Sequence, residues 1–239
     1  PAEAMDALGR VRQITGEPVT AWELFNHVSA DILAASPVCR TLPLSRSHPW
    51  YLLGELSNFG GDAATIDHLL EGLALALDTM GLDDAVPATS IAQRDELWAL
   101  RDGITEAERA CGTSLKHDIS VATSKIAQLV EDLTNEIANL NPALRLNIFG
   151  HVGDGNLHVN VLPLQRGVPI EKDLAAAATR TIYDKTQEAG GSFSAEHGVG
   201  QTKRAEMARY KDEAALATMR RIKDALDPEN LLNPGRLLP

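Results

Sequence analysis

The sequence has 239 residues, 44% of them hydrophobic and 23% charged, and a net charge of −11, enough for one large domain or two small ones around a proper core. The acidic balance excludes a general nucleic-acid binder, which needs a basic face. No apolar run approaches the roughly eighteen residues of a membrane span, and no signal-peptide pattern opens the sequence. A local basic pocket for an anionic substrate stays compatible, because net charge reports solubility rather than sites. Cys39 and Cys111 stand far apart in no metal or redox spacing. They read as free thiols of a reducing compartment, with a disulfide as the alternative, and the expected location is the cytoplasm.

In chain order, Trp22, Phe25, Val28, Ile32 and Leu33 form one helical stripe that stops at Ser36-Pro37. His48 to Ser57 is a bulky apolar run on both faces, as expected of a buried strand. Ile66, Leu69, Leu70, Leu73, Leu77 and Met80 predict a helix with Asp62 as N-cap and Gly81 as stop. A linker is expected around Gly81 to Thr89. Ile126, Leu129, Val130, Leu133, Ile137 and Leu140 predict a further helix, ended by Asn141-Pro142. Leu144 to Gly150 and Leu157 to Leu162 read as strands flanking Asp154-Gly155, a strong hairpin signal. Alanine-rich helix is expected from Glu171 to Ala189 and a last helix from Glu213 to Leu226. Long helices mixed with strands that turn back on one another give an α+β fold, an antiparallel sheet covered by helices.

The hairpin carries the most chemistry. With the turn centred between Asp154 and Gly155, His151 and His158 would lie directly opposite, with Cβ atoms about 4.5–5.5 Å apart. Two imidazoles could then share an ion at about 2.1 Å, and Asn160 would share the face of His158. Leu157, Val159 and Val161 point the other way, toward a core. Two surface histidines on an exposed hairpin are the alternative. A third ligand is offered by Glu196 in Ser194-Ala195-Glu196-His197-Gly198-Val199-Gly200. Two histidines and one carboxylate leave coordination positions open for water or substrate, and His197 would then be free as a proton acceptor. A helix cap with a solvated histidine is the alternative for that pair. Arg101 and Thr105 stand four apart on one helical face, and Lys116 follows. Arginine grips a carboxylate as a fork and lysine as a point charge, but taken alone both read as surface ion-pair residues.

Taken together, the hairpin, the Ser-Ala-Glu-His-Gly-Val-Gly loop and the closing Leu232-Asn233-Pro234-Gly235-Arg236 segment resemble the C-terminal region of FAD-linked oxidases of the vanillyl-alcohol oxidase superfamily. The D-2-hydroxyglutarate dehydrogenase branch is the nearest in pattern. D-lactate dehydrogenase or glycolate oxidase subunits are the alternative within the superfamily, and a non-catalytic metal-binding domain the alternative outside it. The resemblance implies a ferredoxin-like cap domain over residues 1–239 that binds substrate and metal. It implies His151, His158 and Glu196 as ligands of a divalent ion, zinc or manganese, and His197 as the catalytic histidine. It further implies that Arg101, Thr105, Lys116 and Asn160 hold the hydroxycarboxylate substrate. FAD would sit mainly on a separate N-terminal domain, touched here at most by Asn233 and Arg236. The sequence opens at Pro1 rather than Met and has no glycine-rich phosphate loop near its start. It is therefore expected to be the back part of a longer chain whose FAD domain lies outside it. Its expected partners are that domain and an electron acceptor after the flavin. Self-association is expected through apolar surface that the FAD domain would otherwise cover.

Overall fold

The computed structural model describes residues 1–15, 19–36, 42–57, 71, 74 and 84–239. Apart from Glu71 and Ala74, the helix expected over Ile66–Met80 lies outside the described residues, as do Cys39 and the first three linker residues, while residues 84–89 of the linker have no regular secondary structure. The described elements run α1 (Ala2–Thr15), β1 (Val19–Asn26), α2 (His27–Ala34), β2 (Trp50–Leu56), α3 (Ile91–Ala110), β3 (Leu115–Ser120) and α4 (Ile126–Leu140). They continue with β4 (Leu144–His151), β5 (Asn156–Pro163), α5 (Lys172–Glu188), α6 (Arg204–Tyr210) and α7 (Glu213–Leu226). The five strands form one antiparallel sheet of order β2-β1-β4-β5-β3, so the α+β expectation holds. No helix among the described residues is long and apolar enough to cross a membrane.

One expected helix is half strand. Trp22 and Phe25 lie on β1, and the helix begins only at His27. Their three-residue spacing is coincidental: Trp22 and Leu24 belong to one core and Phe25 to the other, the period-two pattern of a strand buried on both faces. The switch comes at Asn26, whose side chain accepts from the Ser29 amide as an N-cap.

The two faces of the sheet differ in kind. On one, Leu24, Ile119, Ile148, Val159 and Val161 pack against Ala7, Leu8 and Val11 of α1, Leu129, Val130, Leu133 and Ile137 of α4, and Ile182 of α5. Each fully buried side chain of this size contributes about 1.5–3 kcal/mol, so this face anchors the fold. On the other, Phe25, Tyr51, Phe149 and Leu162 pack under Val28, Ile32 and Leu33 of α2 and Ile104 of α3. That second core shares its face with Glu23, Lys116, Asp118, Asn147, Asn156, His158 and Asn160, because cross-strand partners such as Glu23 and His151, or Asp118 and His158, sit side by side.

The hairpin register departs from expectation. Phe149, not His151, pairs with His158, and His151 pairs with Glu23 on β1. Four residues, Val152 to Gly155, make the turn, stitched by bonds from Asp154 N to His151 O and from Gly155 N to Val152 O. Gly155 is drawn against the chain after β3, where its carbonyl accepts from Val121 N. Its φ is +80°, and a Cβ there would sit 2.1 Å from the Val121 oxygen, so only glycine fits. A slip of two residues preserves the facing of every side chain. His151 and His158 therefore still share a face, diagonally rather than directly opposed.

Candidate metal centre

Three segments converge at the open end of the polar face. The hairpin supplies His151 and His158, whose rings lie 6.5 Å apart. Glu196 arrives on the loop after α5, which joins the sheet through a two-bond bridge between Ser120 of β3 and Ser192. One ligand atom from each of His151, His158 and Glu196 falls within 4.8 Å of the others, with His151 Nε2 at 3.7 Å from Glu196 Oε1. Tetrahedral ligands about 2.1 Å from one ion are about 3.4 Å apart, so the spacing fits a shared ion after minor contraction. Burial, and next the Arg101 charge, push the His158 imidazole down to about 4; it is neutral at physiological pH, the form that can donate a lone pair. Behind His158, Asp118 Oδ1 lies 3.8 Å from Nδ1 and is buried without a hydrogen-bond partner among the described residues. His197 stacks on His158 with centroids 5.5 Å apart and is mostly exposed, accessible to a bound molecule.

Two carboxylates that the sequence reading passed over hold this arrangement. Asp118, 1% exposed, accepts three successive backbone N–H groups through Oδ2, from Ala195 at 3.1 Å, Glu196 at 2.9 Å and His197 at 2.8 Å. Such a nest fixes the loop that carries the third ligand and the candidate base. Glu23, also 1% exposed, bonds His151 Nδ1 through Oε1 and Arg101 Nε through Oε2 at 2.6 Å. Asn156 steadies the third ligand by donating to Glu196 Oε1, and Lys203 Nζ supports the loop at Ser194 Oγ, 3.2 Å away.

The proposed substrate residues are brought together unequally. Arg101 is buried, its guanidinium 5.1 Å from the centre of the Phe149 ring, on the same face as the ligands. Thr105 is exposed on α3, one turn further on. Lys116 is half exposed, and its Nζ lies 3.4 Å from Glu108 Oε1. Fully buried Glu108 accepts from Ser114 Oγ through the same oxygen and from Asn147 and Asn160 through the other, the latter at 2.9 Å. Asn160 also accepts from His117 N at 3.3 Å, so the protein itself engages both ends of its amide. Asn233 and Arg236 are exposed in the C-terminal segment, which the bond from Leu237 N to Gly200 O ties beside the Glu196 loop. The sequence does little to mark the buried acids: Glu23 stands among bulky apolar residues in Trp-Glu-Leu-Phe, a weak sign of burial, and Asp118 in Lys-His-Asp-Ile has no such setting.

Comparison with known proteins bears on the family and the fold. Residues 1–237 match the family described as FAD linked oxidases, C-terminal domain. The mitochondrial D-2-hydroxyglutarate dehydrogenase of Arabidopsis thaliana is 33% identical over 225 residues, 94% of this chain and 39% of that protein. The mitochondrial enzyme of the same name from Danio rerio is 35% identical over 95% of this chain and 41% of its own length, and the D-2-hydroxyglutarate dehydrogenase of Xanthomonas citri pv. viticola is 35% identical over 82% of this chain and 41% of its own length. The chain thus spans about two fifths of the length of these relatives. In fold it resembles 4-ethylphenol oxidase from Gulosibacter chungangensis, solved as an isoeugenol complex, with a TM-score of 0.63 at 18% identity over 97% of this chain and 50% of that one.

Proposed function

Because this chain belongs to the C-terminal domain family of FAD-linked oxidases, we propose that it forms the substrate- and metal-binding part of a flavin-dependent D-2-hydroxy-acid dehydrogenase. Its substrate would be a dicarboxylate resembling 2-hydroxyglutarate, the class that the relatives' names carry. The single observation behind this reading is that the His151, His158 and Glu196 cluster and the Arg101 cation share one face, joined through Glu23. In this reading the FAD site lies mainly on polypeptide outside these 239 residues, consistent with relatives more than twice as long, and Asn233 and Arg236 border it.

His151, His158 and Glu196 would hold a divalent ion, zinc or manganese by ligand type. That ion supplies Lewis-acid polarisation of the 2-hydroxyl and neighbouring carboxylate when bound, and the flavin supplies the hydride acceptor. The chain's own residues do the rest. His197 takes the hydroxyl proton on a ring nitrogen, with its backbone clamped by Asp118 so that the ring does not wander from the substrate oxygen. Glu23 holds Arg101 at Nε, so the terminal nitrogens of the fork would grip a substrate carboxylate. Lys116, Thr105 and Asn160 would complete the anion and oxygen contacts, with Lys116 exchanging Glu108 for the substrate.

The Lys116–Glu108 pairing also supports a second reading, a monocarboxylate such as D-lactate or glycolate that needs one cation only. Turnover of D-2-hydroxyglutarate and D-lactate by an Arg101→Ala variant separates the two. A dicarboxylate enzyme is expected to show KM rising much more for D-2-hydroxyglutarate than for D-lactate. Any general loss of stability from leaving Glu23 unpaired acts on both substrates alike and cancels in the ratio. Equal changes would sink the dicarboxylate reading.

A further inference from the structure

Each metal-candidate histidine of the hairpin faces a buried carboxylate on the strand next to it. His151 on β4 is the register partner of Glu23 on β1, and His158 on β5 is the register partner of Asp118 on β3. The contacts involve the same atom both times: His151 Nδ1 bonds Glu23 Oε1, and His158 Nδ1 faces Asp118 Oδ1. The second contact, 3.8 Å, is some 0.8 Å longer than a typical N–H···O bond of about 3.0 Å. Asp118 Oδ1 has no hydrogen-bond partner among the described residues, and the His158 ring nitrogen that faces it would become its donor after a shift of that size. An imidazole that gives its Nδ1 proton to a carboxylate keeps its lone pair on Nε2, and His151 Nε2 is the atom turned toward Glu196.

We propose that Glu23 and Asp118 are a matched pair of positioning residues, one on each flank of the hairpin, that hold both histidines with Nε2 presented to the ion. Each carboxylate has a second duty on its other oxygen. Glu23 ties His151 to Arg101, and Asp118 ties His158 to the backbone of Glu196 and His197. The ligand set, the anion-binding cation and the base are thereby joined through two buried groups. Both are too deep to be solvent-facing charges, and burying a carboxylate is costly unless several donors meet it. Outer-shell carboxylates of this kind orient ligand imidazoles and raise their basicity.

The inference rests on the metal centre proposed above, and its test separates the two. Zinc affinity of the purified protein, stripped with a chelator and titrated against a chromophoric competitor, is compared for the parent, Glu23→Gln, Asp118→Asn and Glu55→Gln. Both amides keep the shape and an acceptor oxygen but turn an N–H toward the histidine. Each is expected to weaken zinc binding by about 10–100-fold. Glu55, which bonds Arg94 and Trp98 on the edge strand β2, is the control and leaves the affinity unchanged. Thermal melts are read alongside, because a purely structural role would lower the melting temperature while leaving the zinc dissociation constant within threefold of the parent, and that result overturns the inference. Nitrogen-15 shifts of the parent histidines give a measurement independent of variant folding. Both rings are expected as the Nδ1–H tautomer, and Nε2–H at either overturns it. A parent that takes up neither zinc nor manganese would remove the metal centre itself, whereas tight parental binding matched by both variants removes only the carboxylates' role.

Discussion

The apolar and polar faces of the same five-stranded sheet are built on opposite terms. On the apolar face Leu157, Val159, Val161 and Ile119 are fully buried, and helices α1, α4 and α5 close over them. On the other side of the same sheet, the polar face buries Glu23, Glu108, Asp118, Arg101, Asn147 and Asn160 to 7% exposure or less. Hydrocarbon packing is favourable as it stands. Buried charge is tolerated only because each carboxylate meets several donors, and fold stability alone would be served as well by apolar replacements. The contrast teaches that one face makes the fold and the other is made by it. A sheet held rigid from behind can keep expensive polar groups in fixed geometry in front.

That contrast can be broken from either side. The largest effect is expected at His197→Ala, which should lower kcat by about 10²–10⁴-fold, the range for a lost general base, while elemental analysis finds the metal content unchanged. Loss of the ion from this variant would mean that His197 is a ligand, as its inclusion with Asp118 and His158 in a second cluster would allow. On the opposite face, Ile148→Ala should cost about 2–5 kcal/mol in denaturant unfolding and leave the zinc affinity of the remaining folded protein intact. A matching fall in affinity would show that the two faces are not separable.

The smallest expected effect is on pH dependence. His117, buried on the apolar face between the Val159 carbonyl and the Thr179 hydroxyl, is pushed down to about 4 by burial from an ordinary 6.5. The folded state refuses a proton that the unfolded chain accepts, so stability is flat above pH 6.5, falls as pH drops below it, and levels near pH 4. At about 1.36 kcal/mol per unit, the loss across that window is about 3 kcal/mol at most. His158, shifted alike, adds to the same slope. Unfolding measured from pH 7 to pH 4 should show a shallower decline in His117→Asn than in the parent, and an unchanged slope would count against His117 as a source.

The helices over Ile126–Leu140, Lys172–Glu188 and Glu213–Leu226 could be read in the sequence because each has a clean apolar stripe and a stop residue. The strand β1 could not, since Trp22, Leu24 and Phe25 are buried on both faces and borrow a helical spacing from α2. At the site, His151, His158, Glu196 and His197 stood out because histidines beside glycines are unusual company for packing. The hairpin register was misjudged by two residues, since the turn is set by Gly155 docking on Val121, a contact thirty-odd positions away that no local pattern reveals. Glu23 and Asp118 stayed hidden for a related reason. A lone acid in a strand is ordinarily solvent-facing, and only the neighbouring strand shows that it is not.

The clamp of Asp118 on the amides of Ala195, Glu196 and His197 has a consequence for the order of assembly. Asp118 and Glu196 are 78 residues apart in sequence, and Glu23 and His151 are 128 apart. The hairpin can close locally and early, but the site must wait for its most distant loop closures, whose entropic cost precedes any reward. A ribosome would have to release the sheet, the whole of α5 and the segment after it before the Glu196 loop could latch. The same latch would be among the earliest parts to open when the folded protein fluctuates. The Glu196 and His197 amides should then exchange hydrogen together, at one shared rate set by a single carboxylate letting go, with Ala195 N, which also bonds the Asp118 carbonyl, no faster.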